Sequence, residues 1–153
     1  MAWVKRNATH ADCLDLTTRI RDEDLREILA THPNELPDVA LQISLDLSYK
    51  SFAVMEDGVG CIAIFGTCKT ALGGVPWMIA SDILFERSHR KFIRNCKDYV
   101  KELTEDFAYS YNQVAVTNVK AHRWLSWMGF TIHTTQTNIV NGVQFYPFTF
   151  KRK

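Results

Sequence analysis

Apolar residues follow two different spacings along this chain, and the two spacings alternate from one end to the other. Alternating or continuous apolar stretches predict strands at residues 2–7, 51–56, 59–67, 75–82, 113–117, 130–139 and 144–150. Apolar residues every three or four positions predict three short helices between residues 9 and 47, and further helices at 87–107 and 118–128. This order of elements indicates a single α+β (mixed α/β) domain over residues 1–153, with a mostly antiparallel central sheet flanked by helices.

Capping residues mark the starts of the three short helices. Thr9 and Asp12 have the spacing of a capping box. Asp22 opens the second helix, and Asp38 is predicted to cap the third. The apolar residues expected to face inward from these helices are Leu14, Leu16, Ile20, Leu25, Ile28, Leu29, Val39, Leu41, Ile43, Leu45 and Leu47. Hairpin turns are predicted at the dipeptides Asp57-Gly58 and Asn141-Gly142.

Residues 118–130 carry the most specific motif of the sequence, an Asn-x-x-Ala start, a short amphipathic helix and a Gly-Phe end. Asn118 stands where a strand ends and a helix begins, so we expect its side chain to cap the free N–H groups of that helix. Gly129 follows the last helical turn, where a left-handed backbone is easiest for glycine. The predicted buried face of the helix comprises Ala121, Trp124, Leu125 and Met128.

This motif resembles the closing half of the GNAT fold, the fold of the GCN5-related N-acetyltransferases. The resemblance implies that the preceding strand–helix unit binds acetyl-CoA, with phosphates held near the start of the helix. If acetyl-CoA binds, the residues that the resemblance places beside it are Ile83, Leu84, Arg87, Arg90, Lys91 and Asn118. The three N-terminal helices match the place of a lid on the substrate side of GNAT-like folds.

Two departures from the GNAT pattern favour a non-catalytic protein without a cofactor. Residues 85–92, which correspond to the phosphate-binding loop of the family, contain no glycine, although backbone close to a pyrophosphate usually needs it. Leu125 occupies the position where many GNAT enzymes carry a tyrosine that protonates the leaving thiolate, and leucine cannot donate a proton. Some active GNAT enzymes lack this tyrosine, so the sequence leaves open whether the protein is an enzyme.

A second resemblance is to a family of small internal virion proteins of T-seven-like short-tailed bacteriophages. The matching residues are those at 77–82, Arg90, Lys91, Phe92, Asn118, Arg123, Trp124, Leu125, Asn141, Gly142, Phe145 and Phe148. This resemblance implies a role in assembling the internal core of the virion, phage or host proteins as partners, and a location in the host cytoplasm or the virion interior. It is the favoured prediction of function. The alternative is an acetyl-CoA-dependent N-acetyltransferase acting on a protein or small-molecule amine.

Composition excludes few functions. The 153 residues carry 18 basic and 17 acidic side chains, so net charge favours no class of partner. The four cysteines form no Cys-x-x-Cys pair and no cluster with histidine, which predicts reduced thiols and no metal site. No apolar run approaches the roughly 18 residues of a transmembrane helix, and the N-terminus lacks the apolar core of a signal peptide, so no membrane association is expected.

The helix at 87–107 is basic in its first half and acidic in its second, the reverse of what the helix dipole favours. An anion near the basic half would offset this arrangement. The residues that would meet such an anionic partner are Arg87, Arg90, Lys91 and Arg94. The alternatives are a solvated face with intrahelical pairs such as Lys101–Glu105, or nucleic acid, for which the sequence shows no recognisable binding module.

Two side chains are candidates for acid–base chemistry. Asp82 ends a predicted central strand, where its carboxylate would accept a proton from a substrate amine, although aspartates at strand ends commonly cap or turn. His122 is the second candidate. Among the tryptophans, Trp127 is the one expected to be exposed, as part of a protein interface.

Overall fold

One eight-stranded sheet forms the centre of the protein. The structure is a computed structural model that describes residues 3–86 and 89–152, without the side chains of residues 89–93. The strands are β1 (Trp3–Arg6), β2 (Ser48–Glu56), β3 (Gly60–Thr70), β4 (Gly73–Ala80), β5 (Tyr109–Ala115), β6 (Thr131–Ile132), β7 (Asn138–Val140) and β8 (Val143–Lys151). The helices are α1 (His10–Thr17), α2 (Asp22–Thr31), α3 (Pro37–Asp46), α4 (Asp82–Glu86), α5 (His89–Thr104) and α6 (Val119–Trp127).

The strand order across the sheet is β1-β2-β3-β4-β5-β8-β6, with β7 paired to β8 beyond the end of β6. Every pairing is antiparallel except the one between β4 and β5, which is parallel. The expected mixed α/β fold with a mostly antiparallel central sheet is therefore confirmed.

Helices cover both faces of the sheet, so two apolar cores form. On one face α4, α5 and α6 pack over Phe65 and its neighbours, with Leu84, Cys96 and Leu125 buried between them. On the other face α1 and α3, together with Ile28 of α2, cover the sheet. The sheet is buried on both sides at β3, which explains its continuous run of apolar residues.

The central feature for function is that β4 and β5 separate. They share one paired position, Gly74 with Ser110, and no further pairing toward their C-terminal ends. Their close approach at this position depends on glycine, since a side chain on Gly73 would collide with the carbonyl of Tyr109. Beyond it the two strands diverge, and a gap opens in the middle of the sheet.

Some predicted boundaries differ from the structure. Residues 130–139 do not form one strand, because the run His-Thr-Thr-Gln-Thr between β6 and β7 offers no apolar side to bury. Asp82 begins the short helix α4 instead of ending a strand. The predicted cap at Asp38 is wrong: Pro37 is already in α3, and its N-cap, Leu36, forms no side-chain cap.

Several turn and cap predictions are confirmed. The Thr9 side chain accepts from the Asp12 N–H at 3.3 Å, and the Asp12 carboxylate accepts from the Thr9 N–H at 2.9 Å. Gly129 has a φ of +98°, in the region that favours glycine. The turn at Asn141 and Gly142 has φ values of +48° and +82°, as a type I′ hairpin requires.

Four residues predicted to face inward are exposed instead. Leu14, Leu29, Ile43 and Leu47 have 58%, 47%, 37% and 69% of their surface exposed. In α2 the reason is visible, because the face turned to the protein interior carries Asp24 together with Ile28.

Candidate functional site

The gap between β4 and β5 opens into a cavity of about 320 Å³. The residues that line it come from both strands, from α2 and α3 on one face of the sheet, and from α6 on the other. Its walls include Arg21, Asp24, Glu27, Ile28, Leu41, Trp77, Met78, Asn112, Asn118, Trp124, Leu125 and Phe145. A cavity of this size in the middle of a sheet is large enough to take a small-molecule ligand.

The edge of β4 that faces the cavity carries backbone groups that are not paired with β5. The Ser81 N–H donates to the Ile62 carbonyl of β3 at 2.9 Å, which fixes the alternation of hydrogen bonds along β4. Trp77 and Ile79 therefore bond to β3, and Pro76, Met78 and Ala80 point their backbone polar groups toward the open edge. The Pro76 carbonyl accepts a hydrogen bond from Asn112 Nδ2 at 2.8 Å. The backbone N–H and C=O of Met78 therefore face the gap.

Two carboxylates of α2 occupy the ends of the separated strands. Asp24 Oδ2 accepts from the Ala80 N–H at 2.8 Å, at the end of β4. Glu27 Oε1 accepts from the Ala115 N–H at 2.9 Å, at the end of β5. The helix α2 thus supplies a hydrogen-bond acceptor to β4 and another to β5, at the ends where these strands no longer pair with each other.

A buried polar network joins these two carboxylates. Arg21 donates from Nη1 to Asp24 at 3.0 Å and from Nη2 to the Asn118 Oδ1 at 3.2 Å. The Asn118 side chain then donates from Nδ2 to Glu27 Oε2 at 2.9 Å. The backbone N–H of Arg21 also donates to the Ala80 carbonyl at 3.0 Å, which fixes the start of α2 against β4.

The predicted helix cap at Asn118 is therefore wrong. Asn118 precedes α6 as its N-cap residue, but its side chain makes no capping hydrogen bond. It is 1% exposed, and both ends of its amide bond charged side chains instead. Hydrogen bonds to charged groups are stronger than those to a backbone amide, so the buried network takes the side chain from the cap.

Burial changes the acidity of the two carboxylates. Desolvation raises the pKa of Asp24 to about 6, against the opposing effect of Arg21. Desolvation likewise raises the pKa of Glu27 to about 7. Groups that titrate near neutral pH beside a cavity can accept and release protons under working conditions.

Sequence reasoning did not single out Asp24, Glu27 or Arg21. Asp24, Glu27 and Ile28 share one face of α2 because they follow the three- and four-residue spacing of a helix. Two acidic residues on the same helical face as an inward-facing isoleucine are the sequence signal that would have indicated carboxylates inside the protein. The prediction gave that face to Leu25, Ile28 and Leu29.

The structure places Asp82 and His122 beside this site but outside its centre. Asp82 is the first residue of α4, its side chain is 54% exposed, and its Oδ1 lies 3.4 Å from Arg21 Nε. It lines a shallower depression next to the cavity. His122 is half-buried, and its Nε2 lies 2.8 Å from the Ala115 carbonyl. Asp82 therefore contacts a member of the network, Arg21, and His122 contacts Ala115, whose N–H bonds to Glu27.

The residues predicted to lie beside acetyl-CoA are only partly brought together. Leu84 is fully buried in the core, and Ile83 is half-buried with its N–H donating to Ser81 Oγ at 3.2 Å. Arg87 lies outside the described residues, as do the side chains of Arg90 and Lys91, although both of these residues belong to α5. Arg94 is exposed on the same helix.

The acidic residues in the last turn of α5 and just after it are paired with lysines of the sheet. Lys5 Nζ lies 2.6 Å from Glu102 Oε2, and Lys50 Nζ lies 3.2 Å from Glu105 Oε1 and 2.8 Å from Asp106 Oδ2. These pairs join different elements, unlike the intrahelical Lys101–Glu105 pair of the solvated-face alternative, and they offset the reversed charge pattern at this end of the helix.

Trp127 is exposed, as expected. It keeps 47% of its surface exposed, and the Lys97 ammonium lies 4.4 Å from its ring centroid. An exposed aromatic ring is thus partly covered by a cation of the same face.

Residues 3–86 and 89–152 contain neither a candidate metal site nor a candidate membrane-spanning helix. No three histidine, cysteine, aspartate or glutamate side chains lie together as metal ligands would. No helix has both the length and the apolar character needed to span a bilayer.

Solved structures with this architecture are GNAT-fold N-acetyltransferases. The ribosomal-protein-S18-alanine N-acetyltransferase of Escherichia coli aligns with a TM-score of 0.63 and 14% identity, over 98% of this chain and 94% of that one. The spermidine N-acetyltransferase of Vibrio cholerae, solved with CoA and spermine, gives 0.64 and 16%, over 97% and 95%. A GCN5-related N-acetyltransferase from Kribbella flavida gives 0.66 and 15%, over 99% and 98%.

These similarities show that the chain has the GNAT fold. No protein-family model and no curated protein matches the sequence. The expected resemblance to the internal virion proteins of short-tailed phages is therefore not supported, nor is the assembly role that it implied.

Proposed function

We propose that the protein is an N-acetyltransferase that uses acetyl-CoA and acts on an amine. The observation that carries this proposal is the cavity between β4 and β5, with an unpaired strand edge on one side and two carboxylates at the strand ends, Asp24 buried and Glu27 partly buried. The neighbouring folds support it, since those named above are N-acetyltransferases and one was solved with CoA.

The residues of this chain fit the amide-containing arm of coenzyme A. The Met78 N–H and C=O face the gap, and an extended ligand with amide groups can pair with such an edge as an added strand does. Leu125 and Trp124 line the cavity on the α6 side and give its far wall an apolar surface. The phosphates would lie at the start of α5, where helix N–H groups favour anions. Arg87, Arg90 and Lys91 are close to this point in the sequence, so we include them in the proposed phosphate site.

Acetyl-CoA supplies a thioester, and with an ammonium ion it gives an N-acetyl amide, coenzyme A and one proton. This chain must therefore remove a proton from the ammonium before the nitrogen can react. Glu27 is suited to this role because burial brings its pKa to about 7, close to the working pH of a general base. Asn118 and the Ala115 N–H hold this carboxylate in place.

Leu125 lines the cavity but offers no proton to a leaving thiolate. In the proposed enzyme the structural role of this position is to exclude water from the gap. Arg21 and Asp24 position the site, since they fix the start of α2 and the end of β4.

The test is binding and turnover of acetyl-CoA by the purified protein. A ligand that binds only the folded state stabilises the protein and raises its melting temperature. At a ligand concentration of a hundred times Kd, the free energy of unfolding increases by about 2.7 kcal/mol. We expect such a shift with acetyl-CoA, and release of a free thiol, detected with a colorimetric thiol reagent, when an amine is added.

The matched variants change two basic residues each. Arg90→Ala with Lys91→Ala should reduce the acetyl-CoA shift, whereas the exposed pair Lys69→Ala with Lys151→Ala should leave it unchanged. Absence of any acetyl-CoA shift with the wild-type protein at millimolar concentration would overturn the proposal and favour a non-catalytic role.

A further inference from the structure

The side of the cavity covered by α2 and α3 has mostly apolar walls. Leu41 and Phe145 are 2% and 1% exposed and form two of these walls. Ile28, Ala40 and Trp77 extend the apolar surface, and the polar residues on this side are Thr31, His32 and Ser44. We call this part of the cavity the α3 chamber. Packed apolar walls favour an apolar ligand group of matching size, because burying it removes hydrocarbon surface from water.

The α3 chamber has a polar end formed by Arg21, Asp24 and Glu27, where carboxylates outnumber cationic side chains. Arg21 is held by Asp24 at 3.0 Å and by Asp82 at 3.4 Å, and its guanidinium lies 4.8 Å from the Phe85 ring. Glu27 accepts hydrogen bonds from a backbone N–H and from the amide of Asn118, both of which are uncharged. Among the residues that the structure describes, no cationic side chain forms an ion pair with Glu27.

The cluster therefore contains one guanidinium and two carboxylates, of which Asp24 is buried and Glu27 is partly buried. A buried carboxylate without a cation is unstable, and such a group gains a proton or a counter-ion. The rise in the pKa of Glu27, which burial causes, is consistent with a proton taking that place in the free protein. The groups that face Glu27 are Asp24 and Arg21 from the start of α2, and Asn118 before α6. An ammonium ion entering the cavity would replace the proton.

We propose that the acceptor is a small primary amine with an apolar body, whose ammonium binds Glu27 and Asp24 and whose hydrocarbon part fills the α3 chamber. The proposal rests on the proposed function, because it names the substrate class of the same site. A polyamine fits this arrangement poorly, since its distal ammonium would lie against Leu41, Trp77 or Phe145.

A second acidic surface lies next to the cavity and is the competing site. It is a depression of about 280 Å³ whose lining includes Asp22, Glu23, Asp82 and Lys120. Its carboxylates would favour an acceptor with several positive charges. The experiment must therefore separate one apolar amine from a polyamine.

Binding is measured by calorimetry on the wild-type protein without acetyl-CoA, using four probes. The four amine probes are 2-phenylethylamine, 3-methylbutylamine, 1,4-diaminobutane and spermidine. A fifth compound, 2-phenylethanol, is the uncharged control for 2-phenylethylamine. We expect the two apolar amines to bind at least about tenfold more tightly than the alcohol and the diamine, as one charge-assisted hydrogen bond and one buried apolar group imply. Near pH 6.5 binding should release protons, seen as a difference in heat between two buffers of unequal ionisation enthalpy.

Glu27→Gln should weaken binding of 2-phenylethylamine by at least about tenfold. Glu23→Gln, on the same helix but facing the depression, should change it less than about twofold. If spermidine or the diamine binds as tightly as the apolar amines, or if the alcohol matches 2-phenylethylamine, the proposal is overturned.

Turnover separates this inference from the proposed function. Binding of apolar amines without acetyl transfer would support the α3 chamber as an amine site and contradict the acetyltransferase. Acetyl transfer with no preference for apolar amines would support the acetyltransferase and overturn the apolar acceptor.

Discussion

Glu27 is the residue whose ionisation connects the stability of the protein to its chemistry. Burial raises its pKa from 4.5 to about 7, so between these pH values the folded state holds a proton that the unfolded chain releases. The free energy of unfolding must therefore fall as pH rises through this window. Asp24, whose pKa is raised from 3.8 to about 6, acts in the same direction at lower pH.

The corresponding variant is Glu27→Gln, which removes one titrating group. Stability should depend less on pH between 5 and 7 in this variant than in the wild type, by up to about 1.4 kcal/mol per pH unit. Both oxygens of Glu27 accept hydrogen bonds, so the NH₂ group of the glutamine would face one of the two donors and destabilise the variant at every pH. The comparison therefore uses only the slope of stability against pH. Urea melts at three pH values, with Glu23→Gln as the control, give the slopes, and equal slopes in all three proteins would contradict the assignment.

Gly129 offers a second test at the scale of one residue. Its φ of +98° strains any residue with a side chain, while a Cβ there would meet the Phe150 ring at 3.6 Å, an ordinary contact. Gly129→Val should therefore cost more than about 1 kcal/mol through the backbone alone. Gly129→Asn should cost less, because asparagine tolerates positive φ better. A valine variant as stable as the asparagine variant in a denaturant melt would argue against backbone strain.

At the scale of elements, α5 is attached to the sheet through Lys50. Its ammonium lies near Glu105 and Asp106, which follow the end of the helix, and also donates to the Glu102 carbonyl of the last helical turn at 3.2 Å. Lys50→Ala should destabilise the protein by roughly 0.5–1 kcal/mol, since the side chain is 30% exposed and its pairs are partly screened.

Salt distinguishes this attachment from a packing effect. The cost of Lys50→Ala should shrink at 1 M sodium chloride, where the Debye length is about 3 Å. Lys69→Ala, at an exposed lysine of the same sheet, should cost little at either salt concentration. A cost that does not change with salt would assign the role of Lys50 to its hydrocarbon stem.

Local patterns predicted most of these elements, because a capping box, a hairpin dipeptide or a helical face depends on residues close in sequence. Asn118 shows where such reasoning stops. Its local context predicts a cap, but folding brings Arg21 and Glu27 to its side chain from more than ninety positions away. The candidate site consists of such distant contacts, so the sequence indicated the fold and not the carboxylates of α2.

At the scale of the whole molecule, the sheet has two halves that meet at few points. Strands β1 to β4 form one half and β5 to β8 the other, and the backbone joins them at Gly74 and Ser110. Asn112 adds one side-chain bond to Pro76, and α2 adds Asp24 and Glu27. The gap is therefore a property of the fold that needs no ligand to open it.

Pro76 contributes to this gap, since its nitrogen carries no hydrogen to donate to a neighbouring strand. In hydrogen–deuterium exchange, only every second amide of β4 should therefore be protected, namely those that donate to β3. Trp77 and Ile79, paired with β3, should exchange slowly, whereas Met78 between them should exchange at least about tenfold faster. Bound acetyl-CoA should slow Met78 alone, and uniform protection of the three amides in the free protein would show that the two halves close on each other in solution.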